Sequence, residues 1–274
     1  MTGLSVASAN PVTGLIPAAG RGSRLPNLSG SKELLPLPGE NDAGTQPAIE
    51  YSARFLLSCG ITQQHVVIAP DKRDIPEFLG DGSRLGARLS YTEIAESPGV
   101  PNSLAAACGQ VEDATVVLVF PDIMFEPRAA IAAYLGSFNP QECDVVLPLV
   151  PSTRGDKVDM VSTDSDDSVR EIRPKPGAGQ HGWTWVAAAW SPAFTAFLHQ
   201  FVSTKAGEIE LPPGSELYAG DVINAAIAAG LSIKARKFAA GETIDIGTPD
   251  DLAAVWRQSS QDPPASIAAI LRRW

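Results

Sequence analysis

The chain has 274 residues, enough for one large α/β domain or two small ones and for a sizeable core. It is 44% hydrophobic and 19% charged, a globular composition that excludes a disordered chain or a coiled coil. Its 31 acids and 21 bases leave a net charge of −10, which argues against duplex nucleic acid or an anionic membrane as the main partner but leaves room for small phosphorylated ligands.

Hydrophobic patterning predicts a first strand at Val12–Pro17, a helix at Pro47–Cys59, a strand at His65–Ala69, a short helix at Ile75–Leu79 and a strand at Leu89–Thr92. A helix follows at Asn102–Gln110, an apolar strand at Thr115–Phe120, a helix at Pro127–Leu135 and a strand at Asp144–Leu149. Fully apolar strands alternating with helices point to a parallel sheet covered on both faces. Beyond about residue 150 the pattern changes to strand-like Val158–Ser162, Val169–Ile172 and Thr184–Ala189 with polar turns, a smaller mixed subregion. Helices at Pro192–Val202 and Tyr218–Ala229, a strand at Leu231–Ala235, a helix starting at Pro249 and an amphipathic tail at Ser266–Trp274 complete the chain. No repeat and no clear linker divides it. The expectation is a single domain over residues 1–258, with a nucleotide-binding part at about 12–150, an acceptor-binding part at about 151–250 and a tail helix at 259–274.

The longest apolar run, Val116–Phe120, is far short of the roughly 20 residues of a membrane-spanning helix. No Lys or Arg precedes Arg21, so the basic start of a signal peptide is missing. Cys59, Cys108 and Cys143 stand far apart, without metal-type spacing, which predicts a cytoplasmic protein with reduced, buried thiols. His65, His181 and His199 match no catalytic or metal spacing, and the Asp164–Asp167 run reads as a solvated turn.

The first strand runs directly into Ala18-Ala19-Gly20-Arg21-Gly22-Ser23-Arg24-Leu25. Glycines at a strand-to-helix turn let backbone N–H groups approach phosphate oxygens, and a helix N-terminus adds a favourable partial charge. Arg21, Arg24 and Lys32 are the only basic residues among the first 53, and they flank this loop. A dinucleotide loop would carry Gly or Ala where Leu25 stands, and a Walker loop would need G-K-[ST]; both are rejected.

Gly20-Arg21-Gly22-Ser23-Arg24-Leu25, followed by Ser31-Lys32-Glu33-Leu34-Leu35-Pro36-Leu37, resembles the G-x-G-[TS]-R-L…[PS]-K-x-L-L-P signature of the sugar-1-phosphate nucleotidylyltransferases, the glucose-1-phosphate thymidylyltransferases and their uridylyltransferase counterparts. In the same order, Gln46-Pro47-Ala48-Ile49-Glu50-Tyr51 resembles a K-P-x-I-x-Y helix start, and Leu79–Ser83 with Leu89-Ser90-Tyr91 the segment before the base-binding loop. Leu118–Asp122 resembles a strand ending in a metal-binding Asp, Pro174-Lys175-Pro176 the E-K-P element, and Asp245–Pro249 the D-x-G-T-P element. The resemblance covers roughly residues 12–256. It implies a Rossmann-like, mostly parallel mixed sheet flanked by helices, with a smaller mixed α/β sugar-binding subregion. The implied reaction joins a nucleoside triphosphate to a sugar 1-phosphate and releases pyrophosphate.

On this resemblance Ala18, Ala19, Gly20, Arg21, Gly22, Ser23, Arg24 and Ser103 would bind the nucleotide, with Arg24 on the triphosphate and Lys32 stabilising charge near the α-phosphorus. Lys175 would hold the sugar phosphate, with Asp159 and Trp185 beside the sugar. Taken singly, Asp122 reads as a strand-end turn and Asp245 as a residue before a helix start; within the ordered set they become two carboxylates suited to Mg²⁺, a hard cation that takes one or two carboxylates plus phosphate oxygens. Arg24, Lys32, Asp122, Lys175 and Asp245 are the candidate catalytic residues.

The sequence also departs from the family pattern. Only six residues separate Leu25 from Lys32, a shortened loop, whereas Leu37–Gln46 is lengthened. Ile94 stands where pyrimidine-specific relatives carry a base-reading Gln, and the loop Ala95–Asn102 is expanded. Thymine or uracil is the first expectation for the base, with cytosine and guanine open, and backbone groups around Ala18, Ala19 and Ser103 would read its edge. Pro174 replaces the Glu of E-K-P, Val158-Asp159 replaces Y-G, and Trp183 and Trp185 are candidate stacking platforms, although buried aromatics are more often core. The rival reading is a non-catalytic nucleotide-binding or regulatory module on the same fold. Trp256 and the Ile267–Trp274 tail could supply an apolar surface for a homo-oligomer.

Overall fold

The computed structural model describes residues 10–20, 25, 30–39, 44–95, 97–205 and 216–271. In chain order the strands are β1 (Val12–Pro17), β2 (Pro36–Pro38), β3 (Thr45–Pro47), β4 (Gln63–Ile68), β5 (Arg88–Glu93), β6 (Thr115–Val119), β7 (Ile123–Glu126), β8 (Val145–Ser152), β9 (Met160–Thr163), β10 (Val169–Arg173), β11 (Gly182–Trp185), β12 (Ala187–Trp190), β13 (Ile233–Lys237) and β14 (Glu242–Asp245). The helices are α1 (Ala48–Ser58), α2 (Asp74–Leu79), α3 (Val100–Val111), α4 (Arg128–Gly136), α5 (Pro192–Lys205), α6 (Ala219–Ala228), α7 (Pro249–Gln258) and α8 (Ala265–Leu271).

Ten strands form one mixed sheet in the order β10-β9-β11-β8-β12-β6-β1-β4-β5, with β13 added parallel to β8. The β6-β1-β4-β5 half is parallel throughout. Alternation along the strands serves two cores. Leu15, Val116 and Leu118 face a cluster with α3, α5 and α6, whereas Ile16, Val117 and Val119 face one with α1, α2 and α4. All five residues of β6 are buried, as a central strand covered on both faces requires.

Strands β9 to β12 extend this same sheet in antiparallel fashion and form no separate one. The predicted strand at Thr184–Ala189 is two strands. Its register on β8 slips by one residue between Trp185↔Leu149 and Ala189↔Val146, a bulge centred on Val186. Two small antiparallel pairs, β2–β3 and β7–β14, lie outside the main sheet. A third apolar cluster joins Leu25, Leu35 and Leu37 to α7 and α8. Trp256 and Ile267 are buried inside it, which corrects the expectation that they offer an external contact surface. No helix among the described residues is long and apolar enough to cross a membrane.

Candidate active site

β1 ends at Pro17, and the glycine turn starts there. Arg21, Gly22, Ser23 and Arg24 lie outside the described residues; the turn's frame does not. The Ala18 amide donates to the Val67 carbonyl at 2.7 Å, and the Lys72 ammonium donates to the Ala18 carbonyl at 2.8 Å. Both backbone polar groups of Ala18 are thus engaged inside the fold. Lys72 also donates to both carboxylate oxygens of Glu33, each at 2.7 Å. At the far end of the loop the Asp74 carboxylate accepts from the Ser31 amide at 2.7 Å and the Ser31 hydroxyl at 2.6 Å. The turn after β4, residues 69–74, therefore braces both ends of the glycine loop. The sequence reading missed Lys72 and Glu33, because in a turn rich in charged residues a single Lys reads as solvated.

Lys32 opens a short 3₁₀ turn (Lys32–Leu34) one residue after the Asp74 contact. Its ammonium forms an ion pair with the Asp122 carboxylate. Burial alone would lower the Lys32 pKa, yet the neighbouring Asp122, Glu33 and Asp245 carboxylates hold it above the ordinary lysine value. Asp122 follows β6 at the C-terminal edge of the parallel half, where open α/β sheets bind ligands. Asp245 reaches the same place by the β7–β14 pairing, in which it stands opposite Ile123. The Ile246 amide donates to the Asp122 carbonyl at 2.9 Å, locking the two aspartate positions together. Within its turn, Asp245 accepts from the Gly247 amide at 2.7 Å. The structure thus brings three of the predicted residues, Lys32, Asp122 and Asp245, into one group.

A cleft of about 870 Å³, its open mouth included, is lined by Asp122, Lys157, Asp159, Lys175, Trp185 and Asp245, among others. The Trp185 indole donates to Asp159 at 3.1 Å and packs edge-on against Phe120, with ring centroids 5.4 Å apart. Trp185 is therefore a buried wall that orients Asp159. Trp183 does not line this cleft; its ring lies 5.7 Å from the Lys237 ammonium. Burial raises the Asp159 pKa, against the Trp185 hydrogen bond and the nearby Lys175 charge. Lys175 sits between two prolines with φ +40°, a left-handed conformation that costs a β-carbon residue about 1–3 kcal/mol and persists only where surroundings enforce it. Its ammonium lies 3.4 Å from Glu216 and 4.4 Å from the Tyr218 ring centre, both on the cleft wall before α6.

Ser103 is buried in the first turn of α3, where its hydroxyl bonds Ser97 at 2.6 Å, and it does not line this cleft. His65 bridges Ser90 and Thr92 across β5, at 2.7 and 2.9 Å, which accounts for its burial without a catalytic role. The three cysteines are free thiols; Cys108 is buried, whereas Cys59 and Cys143 are half-buried. Burial pushes Cys59 up to about 12 and Cys108 to about 11.

The sequence profile of the MobA-like NTP transferase domain matches residues 14–199, a span that includes Gly20, Lys32, Asp122 and Lys175 and ends before Asp245. The low-salt glycan biosynthesis nucleotidyltransferase of Haloferax volcanii is 23% identical over 243 residues, 87% of this chain and 63% of that protein. A glucose-1-phosphate thymidylyltransferase of Mycobacterium tuberculosis is 32% identical over 117 residues, 41% of this chain and 38% of that protein. The chain thus matches less than two thirds of the length of these curated relatives. A Bacillus anthracis protein assigned as a glucose-1-phosphate thymidylyltransferase, crystallised with sucrose, superposes with a TM-score of 0.75 at 20% identity, covering 94% of this chain and 99% of that one. UDP-glucose pyrophosphorylase with UDP-glucose gives 0.71 at 15% identity, covering 90% and 98%. At these identities the structural likeness shows a shared fold. The profile match, spanning more than half of the sequence, shows that the chain belongs to the family of MobA-like NTP transferase domains.

Proposed function

We propose that the protein transfers a nucleotidyl group from a nucleoside triphosphate to a sugar 1-phosphate, releasing pyrophosphate. One observation carries this reading. Lys32, Asp122 and Asp245 meet at the C-terminal edge of the parallel half of the sheet, and the cleft that Asp122 and Asp245 line also carries Lys175. Two anionic substrates need more than one cation to hold them together. The names of the relatives support the same chemistry.

The acceptor phosphate is already an anion at neutral pH, so catalysis rests on alignment and on neutralising oxyanions. Among the described residues no cluster of three or more His, Cys, Asp or Glu could hold a metal by itself. Two carboxylates fit Mg²⁺ when phosphate oxygens complete its shell, and the ion would polarise the α-phosphoryl group and offset the charge of the leaving pyrophosphate. Lys32 neutralises Asp122. With triphosphate bound, its ammonium is placed to turn to the α-phosphoryl oxygens, while Arg24 and the Ala19–Ser23 backbone hold the outer phosphates. Lys175 orients the incoming phosphate in line with the departing one, and Asp159 accepts hydrogen bonds from the sugar. The favoured donors are dTTP and UTP.

The decisive assay is pyrophosphate release with dTTP, UTP, CTP, GTP and ATP against a panel of sugar 1-phosphates; no release with any pair defeats the reading. Because Ile94 replaces the base-reading amide, discrimination should rest on backbone groups worth roughly 1–3 kcal/mol each, about ten- to a hundredfold in kcat/KM. A preference beyond about a thousandfold for dTTP plus UTP would show that a side chain reads the base after all. Lys175→Ala should raise the acceptor KM far more than the triphosphate KM, with Arg24→Ala showing the reverse. Equal losses of triphosphate affinity in the two variants would contradict this division of labour.

A further inference from the structure

We propose that Asp251 is a positioning residue, a buried ionic clamp that ties the Asp245 turn to the loop bearing Lys175 and so sets the acceptor end of the cleft. This rests on the transferase reading above.

Asp251 is 3% exposed, in the first turn of α7, six residues beyond Asp245. Its carboxylate takes Arg154 at 2.6 Å on one oxygen, and Lys157 at 2.8 Å with the Thr248 hydroxyl at 2.5 Å on the other. Burial alone would raise its pKa, but these three donors hold it below the ordinary carboxylate value. An acid that binds two cations of another loop is a joint, because both ion pairs are made only when both segments are in place. Helix capping does not require it: the Thr248 hydroxyl already caps α7 by accepting the Asp251 amide.

The joint passes on to Lys175. Arg154 and Lys157 belong to the β8–β9 loop, which continues into Val158 and Asp159 on the cleft wall. Gly155 of that loop accepts the Gly177 amide at 3.0 Å. A β-carbon at Gly155 would lie 2.7 Å from the Gly177 carbonyl oxygen and 2.6 Å from the Gln180 β-carbon, so the two loops meet with no room to spare. The Lys175 charge lies close enough to the Asp159 carboxylate to oppose the burial-driven rise in its pKa. These contacts fix the segment in which Lys175 holds its left-handed φ, and the clamp is what holds the first loop down on them.

The test is Asp251→Asn, which preserves the side-chain shape and the Thr248 cap. Hydrogen exchange should accelerate in residues 153–159 and also in 174–180, which Asp251 does not touch. The acceptor KM should rise about tenfold while the triphosphate KM stays within about twofold. Unchanged exchange in 174–180, or equal shifts of both KM values, overturns the proposal. If Asp251→Asn does not fold, Arg154→Met and Lys157→Met each remove one arm; the same two-loop pattern at smaller size supports the clamp, and its absence in both overturns it. If the wild-type chain turns over no substrate pair, the transferase reading fails, while the exchange pattern still decides the clamp.

Discussion

Asp122→Asn and Asp245→Asn are each expected to lower kcat by on the order of a hundredfold or more at saturating Mg²⁺, with the fold retained. Asparagine keeps the volume and one oxygen but removes the charge a divalent cation needs, and loss of such a preorganised charge takes several kcal/mol from the transition state. The two variants should differ in stability. Asp122→Asn leaves the Lys32 ammonium, 12% exposed, without its ion pair, whereas Asp245→Asn leaves that pair intact. A buried cation deprived of its partner is destabilising, by roughly 1–3 kcal/mol or more for a charged group. Thermal unfolding should therefore separate two variants that steady-state kinetics make look alike. Near-normal turnover in either one would remove the two-carboxylate metal site from the mechanism.

Lys72→Met is expected to destabilise the protein by about 3–5 kcal/mol, the range for breaking a buried ion pair on one side only. Glu33 is 1% exposed and Lys72 6%, and each is the other's ion-pair partner. Burial raises the Glu33 pKa while Lys72 opposes the rise; burial also lowers the Lys72 pKa, against the pull of Glu33. Without Lys72 the opposing charge disappears, and the folded-state Glu33 pKa climbs further above its unfolded value near about 4.3. An acid with a raised folded pKa binds its proton more tightly in the native state, so stability falls as pH rises through that pKa. The deficit of Lys72→Met should accordingly be largest at neutral pH and shrink as pH falls toward 5. Denaturant unfolding at both pH values measures it, and a deficit that stays constant or grows on acidification would contradict the buried-pair account. Replacing Glu33 and Lys72 together by Met should recover much of the loss, because no charge is then stranded. Activity should suffer with stability, since Lys72 also holds the Ala18 carbonyl at the start of the glycine loop.

The alternating apolar pattern makes the parallel half of the sheet readable from residues alone. Observed β1 has the predicted bounds Val12–Pro17, and β6 differs from prediction by one residue at Phe120. Burial on both faces leaves a continuous hydrophobic signal there. The bulge at Val186 leaves no such signal, because a one-residue slip alters pairing without altering composition. The same holds for β7 and β14, four residues each and only partly buried, whose pairing nonetheless brings Asp245 beside Asp122.

Among the functional groups, the sequence by itself determined which residue types stand at the ends of strands and in the glycine turn. Gly20, Lys32, Asp122, Lys175 and Asp245 lie in short motifs whose spacing is local, and local spacing survives whatever the rest of the chain does. Only the tertiary structure decided which charges neutralise one another. Lys32 with Asp122, Lys72 with Glu33, and Arg154 and Lys157 with Asp251 are pairs separated by 90, 39 and up to 97 residues. An ion pair acquires its strength from burial and from the distance between its atoms, and both are properties of the packed chain.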